Sequence, residues 1–257
     1  MVHELMAAPR VCKAGYRINQ RGAFFVSLAA GALLTVLALC ASIYIHASDR
    51  DLLEQGIVNN ADLISLGISQ GDAREFAAST MAYLQGAVED WQPTIIAGDH
   101  ILPIPDSFRA HMADVKVWFS SAKAALLAAL CMVLALFCSV LAGNKGSGKK
   151  GLSTGGYYLG VLSLLILFVW VGAWAYYDFA HLWDLLHKTL IPDGIFSAAE
   201  PIMMLFPLGL FEEYLQPVAF TFCGLTLAVL VLPLLLALLP KTLAKFLSRN
   251  KTPKESA

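Results

Sequence analysis

The sequence predicts an all-α membrane protein: a four-transmembrane-helix bundle, N and C termini cytoplasmic, with a small extracytoplasmic cap between spans 1 and 2. Three observations predict it. The 257 residues are 58% hydrophobic and only 14% charged, too apolar for an ordinary soluble domain. Four windows, Phe24 to Ile45, Ala122 to Ala142, Tyr157 to Tyr177 and Val218 to Leu239, each supply the roughly 20 apolar residues that cross a hydrocarbon core of about 30 Å. Lysine and arginine gather on alternate connections between those windows, which fixes the orientation.

Taken in order, residues 1–23 form a basic cytoplasmic segment, with Arg10, Lys13, Arg17 and Arg21 against one acid. The first span, 24–45, is read as retained. Leu37-Ala38-Leu39-Cys40 resembles a lipoprotein cleavage box, yet the apolar run is too long for a signal core and Leu39 stands where a small residue is required. Residues 46–105 form the extracytoplasmic cap; from Ala47 to Lys116 there are eleven Asp/Glu against four Lys/Arg. Within it, Ser69-Gln70-Gly71-Asp72 is a helix start, with the serine as cap and the aspartate in the first turn. Phe76, Met81, Leu84 and Val88 then recur at helical offsets, predicting an amphipathic helix from about Asp72 to Glu89. Pro93, Pro103 and Pro105 mark an irregular run before a helix beginning at Asp106 or Ser107. That helix, 106–143, extends outward above the second span, and Lys123 at the outer end of the apolar window can carry its ammonium to the headgroups.

Residues 144–155 form a cytoplasmic loop in which Lys145, Lys149 and Lys150 meet no acid. Its run Gly143-Asn144-Lys145-Gly146-Ser147-Gly148 lacks the G-K-[ST] ending of a phosphate loop and reads as a turn. The third span is 156–182. Residues 183–217 are extracytoplasmic, with five acids against one base. The fourth span, 218–240, contains Pro233, a place for a kink. The tail, 241–257, is basic and cytoplasmic.

Several function classes are excluded. A net charge of −1 leaves no basic excess to hold nucleic acid. The five cysteines are odd in number, and Cys40, Cys131, Cys138 and Cys223 lie inside apolar runs, so no disulfide framework or zinc ribbon is expected. Neither an H-E-x-x-H pattern nor three clustered ligands is present for a zinc hydrolase. Transmembrane haem would need axial histidines inside the apolar windows, and a transporter would carry intramembrane charge or broken repeats. No cofactor and no metal are expected.

Histidine placement is the most informative feature. His3 is cytoplasmic, whereas His46, His100, His111, His181 and His187 all fall at or beyond the outward ends of the spans. His111 lies 33 residues before Asn144 and His187 lies 32 residues after Gly155. On continuous helices rising about 1.5 Å per residue, both imidazoles stand about 50 Å up their helices, so the pair can meet near the outer membrane surface. Each has a carboxylate on its own helical face: Asp114 three residues after His111, and Asp184 three residues before His187. A carboxylate beside an imidazole fixes its tautomer and favours its charged form, which suits proton transfer near neutral pH.

Two stretches resemble a known family. His111-Met112-Ala113-Asp114-Val115-Lys116 is similar to its H-M-x-D-V-K motif at the head of the second span. Leu186-His187-Lys188-Thr189-Leu190-Ile191-Pro192 is similar to its F-H-x-x-F-F-P, followed by Glu200-Pro201-Ile202-Met203-Met204-Leu205-Phe206-Pro207 in place of D-x-L-I-x-x-x-P. The family is the bacterial four-span membrane proteins that include the lipoprotein intramolecular transacylase, Lit. The architectural likeness covers about Phe24 to Leu239, with motif matches near 111–116 and 186–211. Departures are clear. Leu186, Leu190 and Ile191 replace aromatics, Phe196 stands where the family favours tryptophan, Leu208 replaces an acid and Glu200 replaces an aspartate. They bear on pocket shape more than on the histidine pair.

The resemblance implies an enzyme of the bacterial cytoplasmic membrane whose site faces outward. It would move an acyl chain, within a diacylglyceryl-modified lipoprotein, from the glyceryl group to the α-amino group of the N-terminal cysteine, leaving a lyso-form. Ester-to-amide conversion runs downhill, so no nucleotide is required. His111 and His187 would be the catalytic pair, Asp114 and Asp184 would orient the rings, and Lys116 or a backbone amide would stabilise the oxyanion. Lys188 and Glu200 read equally well as interfacial anchors. Partners are then the lipoprotein and membrane lipid. Two other readings fit the composition: a non-enzymatic four-span scaffold with a partner-binding cap, and an outer-leaflet lipid hydrolase. Histidines more than about 12 Å apart would favour the scaffold.

Overall fold

The computed structural model describes residues 20–143, 153–190, 196 and 200–249, with side chains for these except 132, 135–143 and 236–249. Helices dominate: α1 (Gln20–Ala47), α2 (Arg50–Asn60), α3 (Leu63–Leu66), α4 (Gln70–Leu84), α5 (Asp106–Gly143), α6 (Thr154–Tyr177), α7 (Phe179–Leu190), α8 (Leu208–Glu212) and α9 (Leu215–Arg249). A two-residue antiparallel hairpin, β1 (Ile96–Ala97) with β2 (His100–Ile101), interrupts the series.

Three helices among the described residues are long and apolar enough to cross a membrane: Gln20–Ala47, Thr154–Tyr177 and Leu215–Leu235. The remaining predicted window, 122–142, belongs to α5, and much of it falls outside the residues whose side chains are described. Of the residues used to orient the chain, Arg10, Lys13, Arg17, Lys145, Lys149, Lys150, Lys251 and Lys254 lie outside the described residues.

Small residues set how the long helices meet. On α1, Ser27, Gly31, Thr35, Ala38 and Ser42 form one buried stripe. Their hydroxyls are satisfied within the helix: Ser27 Oγ donates to the Ala23 carbonyl (2.7 Å), Thr35 Oγ1 to Gly31 (2.9 Å) and Ser42 Oγ to Ala38 (2.6 Å). The stripe packs on α6 backbone to backbone. A Cβ on Gly160 would overlap the Leu28 carbonyl, one on Gly31 the Tyr157 carbonyl, and one on Gly156 the Phe24 carbonyl.

Against α9, α6 offers two tyrosines. Pro233 has no N–H, so the carbonyl of Val229, four residues earlier, loses its helical donor. Tyr157 Oη donates to that carbonyl at 2.7 Å, and Tyr158 Oη donates to the neighbouring Leu230 carbonyl at 3.1 Å. The helix runs on through the proline because a neighbour fills the gap. Tyr157→Phe is therefore expected to cost about 1–2 kcal/mol, seen as a lower thermal midpoint in detergent; an unchanged midpoint would mean the carbonyl is served otherwise.

Among the described residues the cap has a single hydrophobic core. Asp49 caps α2, Asp62 caps α3, and Ser69 caps α4 by accepting from the Asp72 amide. Ile57, Phe76 and Ile95 are almost wholly buried, and Trp91 Nε1 donates to buried Thr80 Oγ1 at 3.2 Å. Two expectations need correction. The helix expected over Asp72 to Glu89 begins at Gln70 and ends at Leu84: Gly86 takes a left-handed φ of 81°, turning the chain so that Val88 is exposed. The core is also not confined to the stretch between the first two spans. Ile202, Leu205 and Leu210 from the later polar segment are buried in it with Phe108 and Met112 of α5. Periodicity reports which face is buried, not what lies against it.

Candidate active site: a histidine pair in an aromatic frame

The first helical turns of α5 are oriented by the cap. Phe108 and Met112 enter its core, and Arg109 Nη1 donates to the Trp91 carbonyl at 3.2 Å. His111, one turn after Phe108, then sits at the margin of that core. A continuous helix from Gly155 to His187, expected from the sequence, is not formed. The chain breaks at Asp178 (φ −152°, ψ 69°), whose carboxylate accepts from the His181 amide and restarts the chain as α7. Leu182 is buried, and on the same short helix His187 is brought to α5.

The two imidazoles stack with ring centroids 6.1 Å apart and planes 30° apart. At that separation one bound group can lie within reach of both rings. Aromatic side chains frame the pair. His111 has Phe108 at 5.7 Å and Phe196 at 5.3 Å; His187 has Trp183 at 4.5 Å, and Trp183 in turn stacks on Phe211 at 4.2 Å. The Nδ1 atom of His111 is buried and has no hydrogen-bond partner among the described residues. A buried ring nitrogen with no partner among the described residues is a candidate contact for a ligand.

Electrostatics favour neutral rings. Burial pushes the His111 imidazole below its ordinary value, His187 pushes in the same direction, and Asp114 opposes them. Burial likewise lowers His187, against a hydrogen bond to the Trp183 carbonyl and the Asp184 charge.

The remaining residues singled out by sequence are placed differently. Asp184 is engaged by Lys188, whose Nζ lies 2.6 Å from Oδ2. Lys116 turns to the cap: its Nζ donates to the carbonyls of Val88 (2.8 Å) and Glu89 (3.0 Å) and lies over the Tyr83 ring. The ammonium is thus committed to the chain after α4. His46 Nε2 meets Thr221 Oγ1 at 2.7 Å, tying α1 to α9. His100 is on the exposed hairpin near Asp99, and His181 stands beside Trp174; His3 lies outside the described residues. No group of three or more His, Cys, Asp or Glu able to hold a metal occurs among the described residues. A shallow apolar groove on α6, lined by Trp170, Ala173, Trp174 and Tyr177, is made by one helix face and fits an interfacial aromatic belt.

Sequence reading missed Trp183 and Phe108 as parts of the frame. The signal was present: Trp183 lies four residues before His187 and Phe108 three before His111, the helical offsets that put side chains on one face.

The family description "Lipoprotein intramolecular transacylase Lit" matches residues 28–211. The solved in meso structure of the membrane integral lipoprotein intramolecular transacylase Lit from Bacillus cereus superposes with a TM-score of 0.60 at 16% identity, covering 85% of this chain and 96% of that one. The search of curated proteins gives no match.

Proposed function

Since this chain belongs to the Lit family of lipoprotein intramolecular transacylases, we propose that it moves one acyl chain from the diacylglyceryl group of a lipoprotein to the α-amino group of the same N-terminal cysteine. The chain is a membrane acyltransferase; its product, in this reading, is the lyso-form lipoprotein. The amine nitrogen attacks the ester carbonyl, a C–N bond forms, the C–O bond to glycerol breaks, and one proton passes from nitrogen to the departing oxygen. No proton or electron is gained or lost overall, so no cofactor is needed.

The observation that carries the reading is the approach of His111 and His187, 6.1 Å apart, from elements 76 positions apart in the chain. One ring removes the amine proton, and the other, once it carries the proton passed on from the first, protonates the glycerol oxygen, so that both rings end neutral. Both reacting groups belong to one molecule, so positioning supplies much of the rate. Asp114 opposes the effect of burial on His111, and Asp184 acts on His187 through its charge while paired with Lys188. Lys116 anchors the chain after α4 to α5, and a backbone amide is left as the oxyanion donor. In this arrangement α5 supplies the second of four spans, both termini are cytoplasmic, and the pair faces the outer leaflet of the bacterial cytoplasmic membrane. There the substrate's ester lies at the headgroup boundary with its tails in lipid. The charge asymmetry of the connections supports that orientation.

The test is to express the chain in a bacterium whose lipoproteins are diacylated and read one lipoprotein's N-terminal peptide by mass spectrometry. An N-acylated, monoacyl-glyceryl peptide is expected. An unchanged diacylglyceryl peptide beside well-folded protein would return the chain to the scaffold reading, and release of free fatty acid with an unmodified amine would make it a hydrolase.

A pH dependence follows from the lowered imidazoles. Reaction through a neutral ring should have an acid limb below the ordinary histidine value of 6.5. Stability has the same sign: unfolded imidazoles protonate first, so the contribution is full above 6.5 and is lost as pH falls toward the folded values. An acid limb above 6.5 would contradict this.

A further inference from the structure

We propose that Trp183 is the positioning residue for His187, holding the imidazole with its indole ring; this rests on the reading of His187 as a proton-transfer group. The indole ring lies 4.5 Å from the imidazole centroid with the planes inclined by 53°. The indole thereby limits where the ring nitrogens can point.

Trp183 is itself held. Phe211 stacks on it at 4.2 Å with planes 27° apart, and Phe179, one helical turn earlier, lies at 5.6 Å. Phe211 is carried by α8, whose Leu210 is fully buried in the cap core. Directly after α8, Glu213 Oε1 accepts from Asn60 Nδ2 of α2 at 2.8 Å. The cap is thereby connected through Phe211 and Trp183 to His187. A residue held this firmly confines the imidazole to a narrow range of rotation.

The indole also acts on the charged state. When His187 takes a proton during turnover, the imidazolium faces the electron-rich ring and is stabilised by a cation–π contact. Among the described residues, the ionisable groups around His187 are His111 and, one turn further on, Asp114 from α5, and Asp184 with its partner Lys188 from α7. None of these is removed by changing Trp183, so a shifted pH profile reports the indole.

The experiment compares wild type, Trp183→Leu, Trp183→Phe and His187→Ala, purified in detergent, by the rate of N-acylation of a diacylglyceryl lipopeptide across pH. Trp183→Leu should lower kcat about tenfold with little change in KM, and move the acid limb down by about half to one pH unit. Trp183→Phe should recover most of both, because a phenyl face remains. An unmoved acid limb, or a phenylalanine variant no better than the leucine one, would overturn the proposal. If the leucine variant does not fold, Trp183→Phe carries the test: its acid limb should move in the same direction by less, and no movement overturns the proposal. A fully active His187→Ala would remove the underlying reading. An inactive His187→Ala beside a Trp183→Leu indistinguishable from wild type would sink this inference alone.

Discussion

His111→Ala and His187→Ala are each expected to lower lyso-form production by about 10²–10⁴-fold with the amount of folded protein unchanged, the range lost when a positioned acid or base is removed. The buried Nδ1 of His111 has no hydrogen-bond partner among the described residues, so its loss orphans none of them. The loss should therefore be kinetic. Because proton removal and delivery are two halves of one transfer, the double variant should be little worse than either single one. The measurement is the fraction of N-acylated peptide at equal expression; a single variant keeping more than about a tenth of wild-type activity would take that ring out of the mechanism.

Gly160→Leu has the second largest expected effect, on assembly. A Cβ at Gly160 meets the Leu28 carbonyl, a backbone atom that cannot rotate away, so α1 and α6 must separate. Overpacking commonly costs about 1–3 kcal/mol, and a backbone clash across the most extensive helix contact belongs at or above the upper end. Gly172, on the same helix, is the control: a Cβ there meets nothing within 4 Å, so Gly172→Leu should leave yield and thermal midpoint near wild type. Equal behaviour of the two variants in size-exclusion chromatography would show that the close crossing does not hold the bundle together.

Much of this was legible in sequence, and the failures share a cause. Local signals were read correctly: Ser69 caps α4, Asp106 opens α5, and three of the apolar windows coincide with helices long enough to span. The histidine pair was found from height along two helices, although one of them is broken at Asp178. The pair still meets because α7 restarts at once from the Asp178 cap, a compensation that counting residues cannot foresee. What escaped depends on partners distant in the chain. Ile202 and Leu205 reach a core built mostly of residues 53–112, Lys116 finds the carbonyls of Val88 and Glu89, and Phe211 backs Trp183. A helical offset puts Trp183 beside His187, but only the folded chain shows that its other face is occupied.

The meeting of Tyr157 with the carbonyl that Pro233 leaves free makes the order of mutation matter. While Pro233 is present, losing the Tyr157 hydroxyl strands a part-buried carbonyl. Once Pro233 is replaced by leucine, the restored amide can serve Val229, and Tyr157→Phe becomes close to silent. Of the two single-step paths to the same double variant, one passes through a weakened protein and the other does not. A drifting lineage is thus expected to shed the proline first, so that phenylalanine at 157 together with proline at 233 should be the rarest of the four pairings.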